Sequence, residues 1–316
     1  MTAPAFEHSF ASHVRSGLTG SPQKTLPCQY FYDEVGSALF EAITTLPEYG
    51  LTRADARVLQ AHAAELVELL PANLIVAELG SGTGIKTHPI LEAVGSRQEA
   101  IYYPIDVSPT ALAKCALEMG GLARVHPLEA TYLEGLRVAG EGRAPGQTLL
   151  LLFLGSTIGN FQPDSAIDFL CAVRQSMQPG DALLLGTDMV KPVAQLIDAY
   201  DDPTGVNAAF NLNLLARINR ELDGDFNLRH FNHVIRYVPE SQRIEMHLQS
   251  RMRQRVNIRK ADLTVEFARG ETICTESCHK FRPAQICDMA RKTGFHLTAQ
   301  WVDEKWPFAE NLLVAV

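Results

Sequence analysis

The chain has 316 residues, of which 46% are hydrophobic and 20% charged, and a formal net charge of −8. That length calls for two lobes or one domain with a large insertion. The composition excludes disorder as the main state, and the acidic balance excludes non-specific nucleic-acid binding, which needs a basic footprint. The one basic run, Arg251 to Lys260, alternates with apolar residues and reads as the solvated face of a strand. No apolar run is long enough to span a bilayer. The opening residues, with Glu7, His8 and His13, do not form a signal peptide. Six irregularly spaced cysteines read as reduced thiols rather than a disulfide framework. The expectation is a cytoplasmic, monomeric protein.

Residues 1–50 hold one helical stretch, Gly36 to Thr45, preceded by Tyr30-Phe31-Tyr32-Asp33 and ending before Pro47. Thr52 with Asp55 reads as a capping box, followed by Val58, Leu59, Ala63, Leu66 and Leu70 at helical spacing. From Ile75 the pattern becomes short apolar runs separated by helices. Strands are expected at Ile75–Leu79, Ile101–Asp106, Thr148–Leu154 and Ala182–Gly186, with helices including Pro109–Met119 and Ser165–Met177. The runs are apolar throughout rather than alternating, as in parallel strands covered on both faces. Repeated β-α units argue an open α/β sheet. After Asp188 the texture shifts: residues 191–222 read as helix, 228–280 as extended segments, and 281–294 as helix again. Phe295–Val302 and Leu312–Val316 read as two strands that complete the sheet around an inserted α+β lobe.

The strongest local signal is Glu78-Leu79-Gly80-Ser81-Gly82-Thr83-Gly84-Ile85-Lys86-Thr87, between a strand and a helix. Glycines there let backbone approach a ligand, and the helix start presents free N–H groups. A nucleoside-triphosphate loop needs Gly where Ile85 stands. In a dinucleotide fingerprint the third Gly would come one residue later. The spacing that remains is the G-x-G-x-G loop of S-adenosylmethionine-dependent methyltransferases, here Gly80-Ser81-Gly82-Thr83-Gly84 with acidic Glu78 just upstream; the bland alternative is a glycine-rich turn without a ligand. Asp106 ends the next strand, where an acidic residue can accept both ribose hydroxyls of an adenosine; the competing role is a helix cap, for which Ser108 is a rival. Gly155-Ser156-Thr157-Ile158-Gly159-Asn160-Phe161 follows the third strand at the same edge, and its small and polar residues suit an amino-acid substrate. Cys274, Cys278 and His279 lack a second ligand pair at finger-like spacing, so no metal is expected. Gly155 directly before Ser156 argues against a hydrolase nucleophile elbow.

Taken together, Tyr30 to Ser37, Leu46-Pro47-Glu48-Tyr49, Glu78 to Thr87 and Phe153 to Phe161 resemble the histidine Nα-methyltransferases of ergothioneine biosynthesis. So do Ala199-Tyr200-Asp201-Asp202, Asn211 to Asn219, Ile244 to Leu248, Thr275-Glu276 and Lys280-Phe281. The resemblance covers nearly the whole chain. It implies a class I methyltransferase domain at residues 55–188 and 281–316, and a substrate-binding domain at residues 1–54 and 189–280. It also implies S-adenosylmethionine as cofactor and a small amino acid as partner. By the same resemblance Asn160 and Tyr200 hold the substrate carboxylate, Tyr32 and Gly155 lie near the amine, and Tyr49 and Met246 line the pocket. Glu276 hydrogen-bonds the imidazole, and Gly80, Lys86 and Asp106 bind the cofactor.

Two departures stand out. The family carries Asp-Phe or Asp-Tyr where this chain has Thr131-Tyr132, so Thr131 or Glu129 has to replace the adenine contact. It carries serine where this chain has Cys278 beside the imidazole. The expected reaction is transfer of methyl groups to the α-amine of L-histidine, up to the trimethylated betaine. Alternatives are the same chemistry on a thiolated histidine or tryptophan, or a binding module without turnover.

Overall fold

The computed structural model describes residues 10–316; the signal-peptide reading rests in part on Glu7 and His8, which lie outside the described residues. The chain divides into two compact units. One combines the described residues up to Gly50 with Lys191–His279; the other combines Leu51–Val190 with Lys280–Val316.

The Leu51–Val190 unit is a twisted sheet between helices. Its strands run in the order Phe295–Val302, Phe308–Ala315, Ala182–Asp188, Thr148–Phe153, Leu74–Leu79 and Ile101–Asp106. The short strands Arg124–Val125 and Leu128–Glu129 both pair with Ile101–Asp106. All pairings are parallel except those of the C-terminal strand Phe308–Ala315, which is antiparallel to both neighbours. This is the class I methyltransferase fold. The apolar runs are explained by burial on both faces. Val76, Leu150, Leu152, Leu184 and Leu312 enter one core. Ile75, Ala77, Leu149, Leu151, Leu183 and Leu313 enter the other. Leu74–Leu79 is the switch strand, since the chain continues to Ile101 on one side of it and Thr148 on the other. The loops after Leu79 and Phe153 therefore leave the carboxyl ends of adjacent strands, where open α/β sheets bind ligands.

The other unit has a sheet in the order Lys24–Thr25, Thr272–His279, Arg243–Ser250 and Phe231–Val238, with helices Glu34–Thr45, Val193–Tyr200 and Val206–Leu222. A separate hairpin pairs Gln254–Ile258 with Leu263–Phe267. Within it, exposed Arg255 and Asn257 alternate with buried Val256 and Ile258, as the basic run led one to expect. Among the described residues no helix is long and apolar enough to cross a membrane.

Three expectations need correction. Residues 10–18 form a further helix, whose Val14 and Leu18 are buried; at 9 residues it is too short for periodicity to mark. The C-terminal strand starts at Phe308 rather than Leu312, because buried Glu310 and Asn311 interrupt its apolar pattern. The helix after Tyr49 already starts at Leu51, and Asp55 is not its cap: the carboxylate is fully buried and accepts from Lys86 and from the Gly155 N–H.

The segment that follows Tyr200 is held by one carboxylate. Asp202 accepts from the backbone of Val206 (3.1 Å) and Asn207 (2.7 Å), from the Asn207 amide (2.9 Å) and from the Thr204 hydroxyl (2.5 Å). Burial alone would raise its pKa, yet these donors hold it well below the ordinary carboxylate range. Asp202→Asn is expected to cost about 1–3 kcal/mol at neutral pH. A folded-state pKa below the unfolded one makes this stabilisation complete above the unfolded value, about 3.9, and progressively lost in acid. Thermal unfolding of both proteins at neutral and acid pH should show the gap narrowing as pH falls; equal midpoints at neutral pH would count against Asp202.

Candidate active site

The turn after Leu79 is built from backbone that side chains would obstruct. Gly80, Gly82 and Gly84 have φ of +69°, +55° and +75°, which L-residues with side chains seldom adopt. A Cβ at Gly84 would also lie 2.7 Å from Cys115 Sγ, whereas one at Gly82 would meet nothing within 4 Å. Bare backbone at Gly82 thus faces open space. Beneath the turn, buried Glu78 accepts from the Thr87 hydroxyl (2.6 Å) and from the Tyr102 hydroxyl. Burial pushes its carboxyl up to about 7 despite those donors.

Asp106 accepts from the Gly82 N–H (3.0 Å) and the Ser108 N–H (2.9 Å). Ser108 is the helix cap, accepting from the Ala111 N–H. The carboxylate at the strand end therefore belongs to the glycine turn and not to the helix. Thr131 caps the helix Tyr132–Glu141 by backbone only, with no side-chain cap bond. Tyr132, next in sequence, reaches the glycine turn: its hydroxyl would be 3.3 Å from a Cβ at Gly80.

The second loop, after Phe153, carries two consecutive left-handed residues, Gly155 (φ +70°) and Ser156 (φ +60°). For Ser156 this conformation is uncommon, and its hydroxyl is fixed by accepting from the Asp188 N–H (2.8 Å). Asp188 in turn pairs with Lys280 (2.9 Å) in a fully buried ion pair. Asn160 ends the short helical turn Thr157–Asn160 and is half-buried. The two loops meet: a Cβ at Gly155 would lie 3.0 Å from Lys86 Nζ. One oxygen of Asp55 accepts from both Lys86 Nζ (2.8 Å) and the Gly155 N–H (3.1 Å). Burial disfavours the Lys86 charge, but Asp55 outweighs it and the pKa is raised.

In the Lys191–His279 unit, Asp33 caps the helix Glu34–Thr45 through the Gly36 N–H (2.7 Å) and accepts from Asn213 (2.8 Å). Gly36 is required because a Cβ there would lie 1.7 Å from the Phe31 carbonyl oxygen. That anchor presents Tyr32 to a ring cluster. Tyr32 meets Phe40 (5.6 Å between centroids) and Phe210 (5.9 Å), Phe40 meets Tyr49 (6.5 Å), and Tyr49 meets Tyr200 (6.3 Å). Three of the expected substrate residues thus share one aromatic array.

A hydrogen-bond chain ties this array to the sheet. His233 Nε2 bonds the Tyr200 carbonyl oxygen (2.8 Å), and its Nδ1 meets the Asn211 amide (2.9 Å). Nδ1 must accept there, so Nε2–H donates; burial lowers the His233 pKa and favours this neutral ring. Asn211 Oδ1 accepts from the Thr275 hydroxyl (2.8 Å), which also contacts the Met246 carbonyl oxygen (3.0 Å). Thr275 is a bulge: Cys274 pairs with His247, but Glu276 pairs with Met246 and Cys278 with Ile244. Plain alternation would put Cys274, Glu276 and Cys278 on one face. The bulge instead sets Glu276 and Cys278 beside Met246 and leaves Cys274 with His247 and Glu245. The half-buried Cys28 thiol is pushed up to about 12, first by desolvation and then by the charge of Glu276 and by Cys278. Glu245, His247 and Cys274 offer ligand-type atoms within 4.8 Å of one another. Glu245 already pairs with Arg243 and His247, so its charge is matched.

The family described as histidine-specific, SAM-dependent methyltransferases matches residues 10–315. The chain is 41% identical over 317 residues to the histidine N-alpha-methyltransferase of Mycolicibacterium smegmatis, covering 99% of this chain and 97% of that protein. It is 44% identical over 304 residues to the enzyme of the same name from Mycobacterium tuberculosis, covering 95% and 92%. An L-tryptophan methyltransferase of Psilocybe serbica is 25% identical over 323 residues, covering 92% and 89%. The chain belongs to the histidine-specific methyltransferase family.

S-adenosylmethionine is the cofactor of this methyltransferase, and the turn at Gly80–Gly84 fits it, because its backbone is bare and open where a ligand must come close. Gly80, Ser81, Gly82, Lys86 and Asp106 are gathered around that turn and the Gly155 loop. Sequence reading missed Asp55, Tyr132 and Glu310. Asp55 looked like part of a cap, Tyr132 entered only as the neighbour of Thr131 in a compared pair, and Glu310 lay outside the expected strand. Asp106→Ala removes an acceptor for both the ligand and the turn. It is expected to weaken S-adenosylhomocysteine binding by about 1.5–3 kcal/mol. Calorimetry on the folded variant tests this, and an unchanged affinity would exclude Asp106 from the cofactor site.

Proposed function

We propose that the protein transfers methyl groups from S-adenosylmethionine to the α-amine of L-histidine, up to the trimethylated betaine, as a step of ergothioneine biosynthesis. The observation that carries this is the 41–44% identity, over nearly the whole chain, to two histidine N-alpha-methyltransferases. We assign cofactor binding to the Leu51–Val190 unit and amino-acid recognition mainly to the Lys191–His279 unit. The absence of any disulfide among the described cysteines suits a reducing cytoplasm.

Bound at the glycine turn, S-adenosylmethionine supplies a methyl group on a sulfonium. The chain's residues orient the amine, keep it neutral and exclude water, and such positioning supplies much of the rate. In this reading the Gly155 backbone lies at the amine, next to Lys86. Asn160 and Tyr200 hold the carboxylate. Glu276 accepts from a ring N–H, with Met246 packing beside it. The nitrogen must be neutral for each attack, so one proton leaves it before each of the three transfers and none after the last, and each proton passes by way of the Tyr32 hydroxyl or a water beside it to solvent. The faces of Tyr32 and Tyr49 accommodate the growing trimethylammonium by cation–π attraction.

Incubation with S-adenosylmethionine and a panel including histidine, a thiolated histidine and tryptophan, read by mass gain, tests the substrate. Three methyl additions to histidine are expected, and no gain on histidine would reject the reading. Glu276→Ala should lower histidine turnover by at least about a hundredfold and leave S-adenosylhomocysteine affinity unchanged, since a site built to hydrogen-bond a ring N–H discriminates strongly. Parental turnover in that variant would move ring recognition elsewhere.

Cys278 brings a thiol, a weaker hydrogen-bond partner than the serine expected from the family. Cys278→Ser should raise kcat/KM for histidine by about 0.5–1.5 kcal/mol, the value of one neutral hydrogen bond. A loss of histidine turnover, with activity on a thiolated histidine in the parent, would favour the sulfur-bearing substrate instead.

A further inference from the structure

Behind the Gly155 loop lies a group of buried charges that the proposed reaction does not use. Asp55 is 0% exposed and Glu310 1%. Asp55 Oδ2 serves Lys86 Nζ and the Gly155 N–H. Asp55 Oδ1 and both oxygens of Glu310 are buried and receive no hydrogen bond from any described N–H or O–H of another group. Glu310 lies beside Asp55, and two adjacent buried carboxyls cannot both carry charge. A single proton held between them satisfies both.

The space for this arrangement is specified by a glycine. Gly186 faces Glu310 across the strand pair. A Cβ there would lie 3.0 Å from Glu310 Oε1 and 3.1 Å from the Gly155 nitrogen. The Glu310 carboxyl and the Gly155 backbone therefore occupy the place of one missing side chain. The groups facing Glu310 are Asp55 from the helix Leu51–Glu68, Lys86 from the turn Ile85–Thr87 and Glu78 from the strand Leu74–Leu79. His62 lines the same small cavity, with Trp301. Lys86 is the cation among these groups, and its field favours the charged form of Glu310.

We propose that Asp55 and Glu310 are positioning residues for methyl transfer: a buried carboxyl pair, joined by one proton, that fixes Lys86 Nζ and the Gly155 N–H relative to each other. Asp55 makes the contacts, and Glu310 acts through Asp55 by holding its second oxygen. The proposal rests on the reading in which Lys86 serves the cofactor and Gly155 the amine. Burial and the nearby Asp55 charge raise the pKa of Glu310 far above the carboxylate range. By the sign of that shift the protonated pair is the form favoured at lower pH, and raising the pH can only disrupt it.

The test compares the parent with Asp55→Asn, Glu310→Gln and Glu310→Ala, each first shown to be folded by thermal unfolding. S-adenosylhomocysteine affinity and histidine turnover are then measured from about pH 6 to about pH 10. Asp55→Asn and Glu310→Ala should lose about tenfold to a hundredfold in kcat, with weakened cofactor affinity, because misplaced groups no longer align the reactants. Glu310→Gln should stay within about threefold of the parent at neutral pH, since its amide N–H can donate to Asp55 in place of the shared proton. Its turnover relative to the parent should not fall as pH rises, because an amide cannot deprotonate. A folded Glu310→Ala with parental kcat and affinity would overturn the proposal. So would identical behaviour of the Gln and Ala variants. Should the parent not methylate histidine, the proposed substrate falls, while the affinity series still decides the role of the pair.

Discussion

One carboxylate oxygen organises the ligand-facing edge of the larger sheet. Asp55 Oδ2 receives both Lys86, from the glycine turn, and the Gly155 N–H, from the loop on the neighbouring strand. The two loops leave adjacent parallel strands, so topology brings them close, but topology alone does not fix a backbone amide against an ammonium group. A buried anion does, because a donor leaving it would strand a charge in low dielectric. Glu78 below the turn and Glu310 behind the loop add two more acids to the same interior, and burial raises the pKa of both. The region thus carries fewer negative charges than its carboxyl groups suggest, as a single lysine requires.

In the other unit, a chain of uncharged hydrogen bonds ties the substrate-side elements together. The chain Tyr200–His233–Asn211–Thr275 crosses from a helix through a strand and a second helix to the bulge. Each member is directional, and the neutral tautomer of His233 is set by what lies on either side of it. The aromatic array and the Glu276 face are consequently parts of one hydrogen-bonded framework.

Much of the fold was legible because burial on both faces writes unbroken apolar runs, as in Leu149 to Phe153 and Ala182 to Leu185. The glycine turn was legible because close backbone approach permits few residue types. The substrate-side residues were visible only through the resemblance: taken singly, Tyr49, Tyr200 or Glu276 is an ordinary core tyrosine or surface acid. Asp55 was misread because a local capping pattern is visible in sequence, whereas its partners lie 31 and 100 positions away. Asn311 escaped for a related reason. It is a buried polar residue inside a strand, and its amide donates to the Leu185 carbonyl oxygen and the Thr187 hydroxyl on the neighbouring strand.

The bulge at Thr275 gives the sheet a parity that no single side chain encodes. If Thr275 paired regularly instead of bulging, Glu276 would stand opposite Glu245, two like charges across one ladder, and Met246 would face a threonine. With the bulge, an acid and a thiol share the face of Met246. Flattening the bulge at constant length would therefore exchange the chemistry of an entire surface without changing composition. Relatives that differ in what they recognise can diverge here by strand register as well as by substitution, a route that position-by-position comparison of side chains does not detect.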